Sequence, residues 1–128
     1  MKIEKKISAG LEEVSKLFID AGLIVLTPFI SPYTDDREQV RSLMKEGQFL
    51  EVYVKCSVEE CEHRDPKGIY KKVRAGQIKE FTGISSPYEE PEHLEIVLET
   101  DKMGIEDCVN VVLDYLIENN TTVPMLLK

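Results

Sequence analysis

Residues 67–79 carry Lys67, Lys71, Lys72, Arg74 and Lys79 with no acid among them, in a chain whose formal net charge is −8. Such a run has two readings. It can be a solvated helix face, or it can be a lid that holds an anion. Lys gives phosphate a mobile point charge, and Arg can stack or pair bidentately. Phe81 follows Lys79 closely and offers a π face to a purine. Broad nucleic-acid binding is not expected, because it needs Lys and Arg over a wide face and this chain is acidic. One local basic patch suits a small anion.

The thiols carry less. Cys56 and Cys61 have C-x4-C spacing with His63 nearby, a weak zinc signal. Cys56 ends an apolar run and reads better as a small buried hydrophobe. His93, between Glu92 and Leu94 in a proline-flanked loop, has no evident ligand partner, so no metal site is expected. Three cysteines, an odd count, and a start "MKIEKKISAG" without an apolar signal region predict reduced thiols in the cytoplasm. No run of about 20 apolar residues is present to span a membrane.

These side chains need a scaffold. A length of 128 residues suits one domain. Residues 8–21 read as a helix with Ile7, Leu11, Val14 and Phe18 on one face and Gly22 as its stop. "LIVLTPFI" at 23–30 reads as a strand buried on both faces, with Pro28 near its end. A helix follows from "TDDREQVRSLMKEG", with Asp35 and Glu38 at capping-box spacing and Gly47 to close it. "FLEVYVKC" at 49–56 is a second strand, and Ser57 caps a short helix over 57–64. The basic stretch 67–80 reads as one or two helical turns broken at Gly76. Strand 94–100 and helix 104–119 complete the order, the latter with Ile105, Cys108, Val109, Val112 and Leu116 inward. The apolar tail 121–128 is expected to dock, on this chain or a neighbouring one.

Strands alternating with helices predict an α/β fold with a parallel sheet in three layers. Ligands of such folds bind beyond the carboxyl ends of the strands. That directs attention to "SPYTDDR", "SVEECEHRDPKG" and "TDKMG", and so to Ser31, Arg64, Lys67 and the segment around Met103.

"GLIVLTPFISPY" and "CEHRDPKGIYKKVRAGQIKEFTGI", with "EVYV" before and "PYEEPEH" after, resemble the adenylylsulfate kinases, P-loop kinases of sulfate activation. The likeness runs from about residue 14 to residue 117. It implies transfer of the γ-phosphoryl of ATP to the 3′-hydroxyl of adenylylsulfate, with magnesium. By position it implies Ile30, Ser31, Lys67, Lys79 and Phe81 at the adenylylsulfate pocket, with Phe81 stacked on the adenine. It implies Arg64 and Met103 near the ATP nucleotide. Plainer roles stand beside these. Ser31 before Pro32 can simply make a turn, Phe81 can be core, Arg64 can only pair with Asp65 or Glu60, and Lys71 and Lys72 can be solvated.

Two departures matter. Glu80 stands where the family commonly has a small residue before the stacking Phe, and a carboxylate there repels an anionic nucleotide. No G-x-x-x-x-G-K-[ST] loop occurs among the seven glycines, so no catalytic residue is assigned. The expected architecture is one kinase-like domain over 1–128, lacking the P-loop and the first two strands of a sheet ordered 2-3-1-4-5. Little phosphoryl transfer is expected from it alone, since positioning and electrostatics carry that reaction. The alternatives are a nucleotide-binding regulatory module for adenylylsulfate or its 3′-phosphorylated product, or an assembly partner of a P-loop-containing chain. The vacant strand position also predicts self-association.

Overall fold

The computed structural model describes residues 2–119, with side chains from residue 10 onward. The tail 121–128 and the Ile7 side chain lie outside the described part. Contacts divide the chain into two compact units, Met1–Phe49 and Leu50–Lys128.

The first unit holds α1 (Lys2–Asp20) and α2 (Thr34–Leu43). Helix α1 begins six residues earlier than the apolar pattern predicts, through "KIEKKI", where Lys and Glu are good helix formers. Its end is as expected. Gly22 takes φ 84°, and the N–H groups of Gly22 and Leu23 donate to the carbonyls of Ile19 and Phe18. This is a Schellman stop, and glycine occupies the left-handed position without a Cβ penalty. Leu11, Val14 and Phe18 are exposed.

Residues 23–30 do not form the expected strand. The apolar run encodes burial on two faces, but strand geometry also needs hydrogen-bonding neighbours. Among the described residues the sheet has two strands, and neither lies here. Leu23, Ile24, Leu26, Phe29 and Ile30 stand exposed, Leu26 at 82%. The proposed Asp35–Glu38 capping box is also absent. Tyr33 is the N-cap, without a side-chain bond, and Asp35 and Asp36 lie in the first turn, where acids complement the helix dipole. The helix ends at Leu43 rather than Gly47. Gly47 instead serves the next turn, where the Gln48 N–H donates to the Lys45 carbonyl at 3.0 Å.

The second unit holds β1 (Val52–Lys55), α3 (Val58–Arg64), α4 (Ile69–Arg74), β2 (Ile96–Glu99) and α5 (Ile105–Glu118). The strands run parallel, with Val52 opposite Ile96 and Lys55 opposite Glu99. They are shorter than the stretches 49–56 and 94–100 from which they were expected. Ile96 and Leu98 point into the core with Val73 of α4. Helix α5 packs on β2, and Asp107 accepts from the Gly104 N–H at its start. Its inward face is narrower than predicted. Cys108, Val112 and Leu116 are half-buried, whereas Ile105 and Val109 are exposed at 86% and 50%. Two strands cannot cover an apolar stripe that wide, and Leu113 and Ile117 extend the exposed row at four-residue spacing.

Candidate functional site

The crossover from β1 to β2 carries most of the candidate residues, and local chemistry shapes it. Ser57 caps α3 by accepting the Glu60 N–H at 3.2 Å. Pro66 then stops that helix, because the residue before proline is pushed out of the α region. Gly68 takes φ 63° and starts α4. The Asp65 carboxylate accepts from the N–H groups of Tyr70 at 3.1 Å and Lys71 at 3.0 Å. Desolvation pushes this carboxyl up, but the Lys71, Tyr70 and Ile69 N–H groups together outweigh it and hold it below its usual range. Lys67 is thus exposed on a turn fixed at both ends.

Arg64, at the end of α3, is exposed and makes two contacts. It donates to Glu60 at 2.7 Å, the plainer pairing foreseen for it. It also donates to the Thr100 carbonyl at 2.8 Å. That second bond ties α3 to the turn after β2, where the half-buried Met103 donates its N–H to the Glu99 carbonyl. Arg64 and Met103 therefore belong to neighbouring segments at the carboxyl end of the parallel pair, where α/β folds take ligands.

After α4 the chain turns at Gly76, φ 72°, as expected. Lys79 and Glu80 are exposed, so the Glu80 carboxylate remains in water. Phe81 is half-buried. Its ring stands edge-on to Tyr70 with centroids 5.0 Å apart and planes at 70°, a favourable aromatic geometry. Burial and a hydrogen bond with the Cys61 thiol push the Tyr70 phenol up to about 12. Burial first, then the Cys56 thiol, raise Cys61. Cys56 is half-buried rather than fully buried. Among the described residues no three His, Cys, Asp or Glu side chains converge on a metal position.

An open cleft of about 530 Å³ lies between α3 and α4, lined by Glu62, Asp65, Gly68, Tyr70, Lys71 and Arg74. Arg74 is neutralised there by Glu62. Of the basic run, Lys67, Lys71, Lys72 and Lys79 are exposed.

Ile30 and Ser31 belong to the first unit. Ile30 is 66% exposed. Ser31 adopts φ 41°, in the left-handed region that serine rarely enters. The buried Arg37 holds this turn. Its guanidinium donates to the Ser31 carbonyl at 2.7 Å and to Thr34 Oγ1 at 3.1 Å. The plainer reading placed Ser31 in a turn after a strand; no strand precedes it, and it leads instead into α2.

A family model described as adenylylsulphate kinase matches residues 4–99. The chain belongs to the adenylylsulphate kinase family. It is 58% identical over 104 residues to the adenylyl-sulfate kinase of Oceanobacillus iheyensis, covering 81% of this chain and 52% of that protein. The adenylyl-sulfate kinase of Staphylococcus epidermidis is 57% identical over 107 residues, covering 84% and 54%. The chain thus spans about half the length of the curated relatives it matches. Among solved structures, the APS kinase of Mycobacterium tuberculosis in complex with AMPPNP and APS superposes with a TM-score of 0.84 at 36% identity, covering 91% of this chain and 68% of that one. The α/β fold with a parallel sheet is that of the family.

Sequence reasoning missed the roles of Asp65, Tyr70, Arg37 and Thr100. Asp65 had a signal, since Asp-Pro-x-Gly is a turn signature. The others act through contacts that sequence spacing does not encode.

Proposed function

We propose that this chain is the substrate-lid portion of an ATP-dependent phosphotransferase that acts on the 3′-hydroxyl of adenylylsulfate. The observation that carries the reading is the likeness to a solved relative holding AMPPNP and APS. The β1–β2 crossover supports it, with exposed Lys67 and Lys79 on fixed turns and a Phe81 ring braced by Tyr70. In this proposal Ile30, Ser31, Lys67, Lys79 and Phe81 contact adenylylsulfate, and Arg64 and Met103 border the ATP nucleotide. A cytoplasmic location is part of the proposal.

The phosphate loop is missing from these 128 residues, so chemistry requires residues beyond them. Among the described residues no three His, Cys, Asp or Glu side chains converge, so in this proposal magnesium would arrive with the nucleotide, whose phosphates supply its ligands. The chain's own part is to bind and orient the nucleotide. The test is calorimetric titration with adenylylsulfate, its 3′-phosphorylated product and ATP–magnesium. Micromolar binding that is lost in Lys79→Ala and in Phe81→Ala supports the reading. The absence of heat with every ligand refutes it.

A second reading makes the chain an assembly partner, either of another copy or of a polypeptide bearing the phosphate loop. The row Ile105, Val109, Leu113 and Ile117 and the exposed run 23–30 favour it, because large apolar patches mark interaction surfaces. Mass in solution at micromolar concentration tests it. A cooperatively folded monomer would remove the self-association arm.

A further inference from the structure

Among the described residues, the loop after Gly76 is organised by one hydroxyl. Ser85 Oγ accepts the Phe81 N–H at 2.9 Å. The same oxygen donates its proton to the Lys79 carbonyl at 2.9 Å. The Phe81 carbonyl in turn accepts from the N–H groups of Ile84, Ser85 and Ser86 at 3.0–3.1 Å, and the Gly83 N–H donates to the Ser86 carbonyl. Gly83 closes the loop at φ 85°, and a Cβ there would lie 3.9 Å from the Val58 side chain of α3.

We infer that Ser85 is a positioning residue that sets Lys79 and Phe81 for the nucleotide, an inference that rests on the function proposed above. Ser85 does not need to touch ligand for this. Its hydroxyl spans Glu80 and fixes the backbone on both sides, at the N–H of the aromatic residue and the carbonyl of the cation. Only a group that accepts and donates at once can make both bonds, and a hydroxyl does so. Lys79, Glu80 and Ser85 are all exposed, so water can satisfy the same backbone groups if Ser85 is lost. The bridge therefore constrains conformation more than it stabilises the fold. Its effect should appear where conformation matters, in the ordering a ligand must impose on the loop.

The test compares the 128-residue chain with its Ser85→Ala and Ser85→Thr variants by amide hydrogen exchange, and by titration with adenylylsulfate as the probe. A cooperative melt shared by all three establishes that the fold is retained. In Ser85→Ala the Phe81 N–H is expected to exchange about tenfold faster, the amide resonances of Lys79 and Glu80 to shift, and affinity to fall about fivefold. Ser85→Thr, which keeps the hydroxyl, should restore all three. Unchanged exchange of the Phe81 N–H in Ser85→Ala overturns the inference. Faster exchange with unchanged affinity also overturns it, because the loop would then be pinned without serving the ligand. If the wild-type chain takes up no adenylylsulfate, the proposed function fails, while Phe81 exchange still decides whether Ser85 sets the loop.

Discussion

Replacing Arg37 should expose how the Ser31 turn is held. The side chain is 7% exposed, so little solvent replaces what it loses. Its guanidinium donates charge-assisted bonds at 2.7 Å to the Ser31 carbonyl and at 3.1 Å to Thr34 Oγ1. Hydrogen bonds to charged groups contribute about 1.5–3 kcal/mol each. Ser31 at φ 41° opposes them with about 1–2 kcal/mol of left-handed strain, which the freed turn can relax. Arg37→Ala should therefore destabilise the chain by about 3 kcal/mol, the middle of a range of about 1–5 kcal/mol. With ordinary urea sensitivity that lowers the midpoint by about 1–3 M, followed by circular dichroism at the helix band. Thr34→Ala should then couple to it, costing at least about 0.5 kcal/mol less in the Arg37→Ala background than in wild type. A loss below about 1 kcal/mol, or strict additivity of the two substitutions, would refute the reasoning.

Three further outcomes are expected. Leu98→Ala, at a site only 7% exposed, should cost about 2–4 kcal/mol in the same urea assay. The Tyr70 phenol, pushed up to about 12 from 10.0, should ionise later than an ordinary tyrosine in an ultraviolet absorbance titration. Because its folded value is raised, its contribution to stability is complete below 10.0 and is lost as pH rises to about 12. Asp65 has the opposite sign. Its carboxyl is held below 3.8, so the stability gap between wild type and Asp65→Asn should be constant above about pH 5 and shrink as acid protonates Asp65. A gap that persists unchanged into strong acid would show that the N–H groups of α4 do not depend on its charge.

What could be read in advance was local. Ser57, Gly22 and Gly76 act on neighbours within a few residues, and they end or start helices where the sequence pattern puts them. The misread elements depend on distant neighbours. "LIVLTPFI" has a buried strand's composition, yet pairing is a property of the adjacent strand. The inner face of α5 depends in the same way on how wide the sheet beneath it is. At the candidate site, the types and order of Lys67, Lys79 and Phe81 were visible in the sequence. The edge-on Tyr70 contact was not, because a ring angle has no signature in residue spacing. Nor was the Arg64 bond to Thr100, which joins residues 36 apart.

The pairing of Val52 with Ile96 has a kinetic consequence. These partners are 44 positions apart (96 − 52), so the sheet forms only after a long loop has closed. The capped α3 and the Asp65 turn need only near neighbours and can form first. Shortening the search between the strands would then speed folding, and a nick within the 56–95 segment would slow it even if the final contacts were all recovered. A nucleotide that gathers this segment would act on the same step, because it would favour chains whose ends are already close together.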